Sequence, residues 1–310
     1  MKDPLKVLHI SSLPYLSKIF KNFQPTSDCN VTNEVYDQKR GFSNIPSYQT
    51  DIIHLHGISL LKQTDILKAI ENRQSHNLPV VFSLFKEHFW QSEEELQQTC
   101  LDNLELLKNC AALLMHDSET LNYLDAFDNC TWAGMPVQCD DSQISDTKYD
   151  ECKLFKLLYF QQGGSSQTIE LINSTVERLR KEQIHIDPVL LGHEDNFDFD
   201  TIYRLIEESD IYIDSLHRPS LSYLALLALS KGKATLANLP EKFALLTRQF
   251  DMSPILKTNE NNLYYRLKSL ISEPKSLRDF GRRGKKFVSD FHHPEIVCKS
   301  YLELYRQFAG

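Results

Sequence analysis

His56, His88, Lys86 and a few serines are the residues of this chain whose types and positions could do chemistry, because they fall at or just beyond the ends of short apolar runs. His56 closes the run 51–56, Ser11 and Ser12 follow the run 5–10, and Lys86 and His88 follow the run 80–84. The carboxyl end of a parallel strand is where open α/β sheets bind ligands. An imidazole there can take and return a proton near neutral pH. His56 and His88 are therefore the candidate catalytic residues, with Ser11, Ser12 and Lys86 as candidate substrate contacts. Each histidine also has a structural reading, His56 as a capping or packing residue and His88 as a loop residue among aromatics. His116 and Asp117 read as a hydrogen-bonded structural pair.

A second group points to phosphate. Gly163, Gly164, Ser165 and Ser166 precede a helical pattern that begins near Thr168, and Arg218, Pro219, Ser220 and Ser222 precede another. Free N–H groups at a helix N-terminus attract anions, and a guanidinium meets a diphosphate with paired donors. Ser165, Ser166, Arg218, Ser220 and Ser222 are the candidate contacts to a phosphorylated ligand. The plainer alternative is a glycine turn and a serine N-cap.

Metal chemistry is not expected, since no carboxylate pair sits at a strand end and the seven cysteines contain no CxxC pair. An odd cysteine count without such pairs reads as reduced structural thiols. The net charge of −8 argues against general nucleic-acid binding. The basic run Arg282, Arg283, Lys285 and Lys286 leaves room for no more than peripheral membrane contact. The first residues enter a strand-like run without a signal-peptide core, and no apolar stretch approaches the roughly 20 residues that span a bilayer. A cytoplasmic, soluble protein is expected.

The elements that must position these residues follow from periodicity. Strand-like runs at 5–10, 51–56, 80–84, 112–116, 155–160, 188–191, 211–214 and 233–237 alternate with amphipathic patterns at 59–72, 92–108, 168–181, 219–231 and 262–272. Strands separated by helices of this length predict parallel sheets covered on both faces. The polar, acidic, aperiodic stretch 138–152 interrupts the alternation once and reads as an inter-domain linker. A chain of 310 residues accommodates two domains. The division expected is 1–140, 150–290 and a last helical segment 291–310 that returns to the first domain. Gly281 and Gly284 interrupt the charge-rich run that precedes it.

Several segments now carry a resemblance. KVLHISSLP resembles the first strand and loop of the group 1 (family 4) glycosyltransferases, and DIIHLHG resembles their strand ending in a cleft-facing histidine. Residues 209–237 and 263–305 are similar to that family's donor-side helix and its C-terminal helices. The resemblance implies an α/β protein of the GT-B type, with two doubly wound parallel-sheet domains facing a cleft and a C-terminal helix crossing back.

It also implies a nucleotide sugar as donor substrate, with no cofactor and no metal. A glycan, lipid or protein hydroxyl would be the acceptor, and configuration would be retained. The family's E-x7-E glutamates fall on Pro219 and Leu227, and its diphosphate-gripping cations fall near Gln162 and Ser166. These departures leave a second reading open, a catalytically inactive glycosyltransferase-like subunit that binds a partner enzyme or acceptor. The helix over 220–230 is apolar on nearly every face, so Leu227 is expected to pack inside.

Overall fold

The structure, a computed structural model, describes residues 4–11, 29–36, 50–85, 93–116, 127–137, 154–161, 167–192, 198–217, 221–239 and 254–308. The chain divides into two compact units, Met1–Pro136 with His293–Gly310, and Val137–His292. The expected linker at 138–152 lies outside the described residues, between a boundary at Pro136 and the next strand.

In the first unit, β1 (Leu5–Ser11), β2 (Cys29–Val35), β3 (Ile52–His56), β4 (Val80–Leu84), β5 (Ala112–Met115) and β6 (Cys130–Trp132) form one sheet. Its order is β2-β1-β3-β4-β5-β6, and every pairing is parallel. All residues of β3, β4 and β5 are buried, as expected of central parallel strands covered on both faces. Among the described residues, the first unit's helices before the boundary are α1 (Thr64–Ser75), α2 (Glu93–Asp102) and α3 (Leu104–Lys108), and a 3-10 turn at Ile58–Lys62 precedes α1. The buried Arg73 guanidinium on α1 donates to the carbonyls of Thr50 and Asp51, which ties the entry of β3 to the helix covering it.

The second sheet holds β7 (Phe155–Phe160), β8 (Ile186–Leu191), β9 (Ile211–Ile213), β10 (Ala234–Ala237) and β11 (Leu256–Lys257), again all parallel, in the order β11-β10-β9-β7-β8. Its helices are α4 (Gln167–Lys181), α5 (Phe199–Glu208), α6 (Tyr223–Ser230), α7 (Leu263–Ser272) and α8 (Pro274–Phe291). Thr168, Ile172, Thr175, Val176 and Leu179 of α4 turn one stripe inward, at the spacing the amphipathic pattern predicts. Every residue of α6 is buried, as its sequence, apolar on nearly every face, anticipates. The last helix, α9 (Pro294–Phe308), belongs to the first unit.

The glycines that break the charged run do not break α8, because close approach requires them. Helix α6 ends in a left-handed glycine, Gly232, with φ 69°. Gly232 N–H donates to the Leu229 carbonyl and Lys233 N–H to the Ala228 carbonyl, the paired bonds of a Schellman cap. A Cβ on Gly281 would stand 2.1 Å from the Gly232 carbonyl oxygen, and one on Gly284 2.5 Å from Leu229 Cδ2. The backbone oxygen cannot yield as a leucine methyl can. Gly281→Ala is therefore expected to cost about 1–3 kcal/mol, and more than Gly284→Ala. Urea unfolding of both variants checks this, and equal midpoints would show that α8 shifts freely.

Two cations of the basic run on α8 pair with carboxylates of the same helix. Arg282 pairs with Asp279 at 3.6 Å and Lys286 with Asp290 at 2.7 Å, while the Arg283 guanidinium lies 4.2 Å from the Phe280 ring centre. These are ordinary pairs along a solvated helix face.

Candidate functional site

Each sheet reverses its winding once, and the described candidates Ser11 and His56 lie on the two strands that flank the first reversal. In the first sheet the chain leaves β1 to pair on one side with β2 and on the other with β3. In the second, β7 lies between β8 and β9 in the same way. Loops diverge at such a reversal and open a crevice at the carboxyl ends of the strands.

At the first reversal the sheet carries a buried cluster of imidazoles. His54 and His56 are two residues apart on β3 and so share a face, and His9 on β1 is the register partner of His54. All three are at most 2% exposed. His56 Nε2 lies 3.0 Å from His9 Nδ1, and His54 Nε2 lies 2.6 Å from Ser83 Oγ on β4. Helix α9 covers the cluster with two tyrosines. Tyr305 Oη is 2.9 Å from His9 Nε2 and 2.5 Å from His54 Nδ1. Tyr301 stacks on His56 with ring centres 6.2 Å apart.

His116 at the end of β5 completes the polar layer. Its Nδ1–H faces the carbonyls of Ala133 and Gly134 at 3.1 and 3.2 Å, which leaves Nε2 to accept from Tyr301 Oη at 3.4 Å.

Burial sets the protonation of this layer. It lowers the His9 pKa to about 3 and holds His54 and His56 well below the ordinary imidazole value, with neighbouring histidines adding to the effect on the latter two. Burial also raises the Tyr301 and Tyr305 phenols. His9, His54 and His56 are neutral at physiological pH, three imidazoles that serve as hydrogen-bonding groups and potential metal ligands.

At the second reversal, Asp214 follows β9 and is 1% exposed. Its carboxylate accepts from Ser222 N–H at 2.9 Å and from the Ser222 hydroxyl at 2.8 Å. The same hydroxyl oxygen accepts from Ala225 N–H at 3.1 Å and so caps α6. The α6 N-terminus thus already has an anion beside it. Across the reversal, burial raises the Tyr159 phenol to about 12, opposed by its hydrogen bond to Thr168 in the first turn of α4 and reinforced by Asp214.

The residues selected from the sequence fall into two groups. Ser11, His56 and Ser222 are described. Ser11 and His56 are register partners and both are buried. His56 belongs to the imidazole cluster, and in this structure its ring presents no surface to a substrate. The Ser222 hydroxyl serves as a helix cap. Ser12, Lys86, His88, Ser165, Ser166, Arg218 and Ser220 lie outside the described residues, as does Asp117.

His9, His54, Ser83, Tyr301, Tyr305 and Asp214 were not selected. The alternation His54-x-His56 signalled a shared strand face, but nothing local signalled that β1 would bring His9 alongside. The described cysteines Cys29, Cys100, Cys110, Cys130 and Cys298 are free thiols. No described helix is long and apolar enough to cross a membrane.

No protein-family profile matches the chain, and no curated protein matches it in sequence. Solved structures do match in fold. A UDP-forming α,α-trehalose-phosphate synthase from Burkholderia xenovorans superposes with TM-score 0.61 at 13% identity, over 99% of this chain and 100% of that one. UDP-GlcNAc 2-epimerase from Neisseria meningitidis, bound to UDP-GlcNAc, gives 0.56 at 12% identity over 98% and 100%. A point mutant of S. aureus TarM, in complex with fondaparinux, α-GlcNAc-glycerol and UDP, gives 0.56 at 11% identity over 82% of this chain. The match spans about half of TarM, 55% of its length. With two all-parallel α/β sheets and a C-terminal helix that joins the first unit, the chain is a divergent protein of the GT-B fold.

Proposed function

We propose that this protein is a divergent glycosyltransferase that takes a uridine diphosphate sugar at the carboxyl edge of its second sheet. The observation that carries this reading is the whole-chain similarity in fold to a UDP-forming synthase and to an epimerase bound to UDP-GlcNAc. In the reaction, the bond from the sugar's anomeric carbon to the diphosphate oxygen breaks and a bond from that carbon to an acceptor hydroxyl oxygen forms. The hydroxyl proton leaves with the diphosphate or passes to water. The acceptor is a glycan, lipid or protein hydroxyl, configuration is retained, and no metal takes part at the donor.

The Asp214 carboxylate disfavours a diphosphate at the α6 N-terminus, because the two anions would compete for it. The reading assigns the phosphates instead to the α4 N-terminus and the segment 162–166 before it, with Ser165 and Ser166 as contacts and Arg218 as the cation. UDP at 100 times its dissociation constant should stabilise the fold by about 2.7 kcal/mol, read as a raised melting temperature, whereas ADP should not. Arg218→Ala should weaken UDP binding by about 1.5–3 kcal/mol. The absence of a UDP-specific shift would remove the reading.

A second reading, an inactive subunit that holds a partner glycosyltransferase or an acceptor, is favoured by one observation. Leu227 lies where the resemblance places a donor-binding glutamate, and it is buried. UDP binding without release of UDP from any UDP sugar would support this second reading over the first.

A further inference from the structure

We infer that His9, His54 and His56 form a structural site for a first-row divalent cation, with zinc the best match, set in the first sheet beneath the C-terminal helix and separate from the donor site. Three imidazoles reach one point from two adjacent strands, and a ligand nitrogen from each lies within 4.8 Å of the other two. The gap between His9 Nδ1 and His56 Nε2 is 3.0 Å. Two nitrogens bound at about 2.0–2.1 Å to a tetrahedral zinc stand about 3.3 Å apart, so this pair already stands close to the separation of two zinc ligands. Imidazole nitrogens suit zinc better than magnesium or calcium, which require oxygen ligands.

The surroundings hold the rings for this purpose. The Tyr305 oxygen has two lone pairs and can accept from both His9 Nε2–H and His54 Nδ1–H. That arrangement fixes the tautomer of His9 and His54 and leaves His9 Nδ1 and His54 Nε2 as lone-pair nitrogens; without a cation His56 Nε2–H donates to His9 Nδ1, and a change to its Nδ1–H tautomer frees Nε2 to ligate. Metal-bound histidines are commonly oriented in this way by a hydrogen bond to their other nitrogen. The fourth position falls to a hydroxyl, with Ser83 Oγ beside His54 Nε2, or to a water. Because the rings are buried and neutral, binding displaces no proton from them. The cation would couple α9 to β1 and β3 through Tyr305 and would touch no substrate.

The test uses untagged full-length protein, given one equivalent of Zn2+ or Co2+ and dialysed against metal-free buffer. About one zinc per chain should be retained by mass spectrometry. Cobalt should show tetrahedral visible absorption without a thiolate band, and zinc X-ray absorption should show three imidazoles. Tyr305→Phe should loosen the metal roughly 10–100-fold, and His56→Gln should abolish stoichiometric retention. The proposal is overturned if the folded wild-type protein retains no metal, if sulfur or carboxylate ligands are found, or if folded His56→Gln binds as tightly. Should His56→Gln fail to fold, the wild-type X-ray absorption decides alone, since any number of imidazole ligands other than three overturns the site.

Discussion

Leu227→Glu is expected to destabilise the fold by several kcal/mol without improving the binding of a UDP sugar. Leu227 is 1% exposed on a helix whose eight residues are all buried. A carboxylate there would lose its water, so unless it gains a cation it must either remain unpaired or take up a proton. Domains of this kind have only about 5–15 kcal/mol in hand, so the loss is large on that scale. Urea unfolding and titration with a UDP sugar, both on the purified variant, check the expectation. A destabilised variant with no gain in affinity means that hydrophobic packing has closed this wall of the donor region, and it favours the non-catalytic reading. A stable variant that binds the UDP sugar more tightly would mean that the wall is open and lacks only its carboxylate.

Acid should unfold the first unit well before it titrates most surface carboxylates. In the unfolded chain an imidazole titrates near 6.5, whereas burial lowers His9 to about 3 and holds His54 and His56 well below 6.5. Between those limits the unfolded chain binds protons that the folded chain does not. The stability owed to neutral imidazoles is thus fully present above about pH 6.5 and is lost as pH falls below it. Each histidine removes about 1.4 kcal/mol per pH unit once the difference is complete, and three together remove about 4. The melting temperature should fall steeply from pH 6.5 to pH 5, and His9→Leu should flatten the slope by about one proton. A bound zinc acts in the same direction, because protons compete with it for the same nitrogens. A melting temperature constant from pH 7 to pH 4.5 would show that the cluster titrates equally in both states.

How much of this was legible depends on where each residue lies in its sheet. Eight strands were readable as apolar runs, and all of the central strands are among them, because a strand covered on both faces must be apolar along its length. The strands that escaped, β2, β6 and β11, are all at sheet edges. The sequence CNVTNEV of β2 has mostly half-buried or exposed side chains, and β6 and β11 are three and two residues long, so neither forms a run. Edge strand β8 was legible from its apolar end at 188–191, and it carries Pro188, which a sheet edge tolerates. The helix expected at 219–231 begins only at Tyr223, because the Ser222 side chain caps it there.

The apolar sequence of α6 alone determined that Leu227 would be buried, since a helix without a polar face has no side to turn to water. The alternation of strand-length and helix-length runs along the whole chain likewise determined the parallel α/β class. The imidazole cluster was decided only by tertiary structure. Pairing β1 with β3 puts His9 beside His54, and the return of α9 brings Tyr305 over both. The backbone hydrogen bonds of a parallel pair are the same whichever strands meet and in whatever register, so local sequence cannot select the pairing. Burial of the whole sheet between its helices selects it, and that contest is settled among residues as far apart in the chain as His9 and Tyr305.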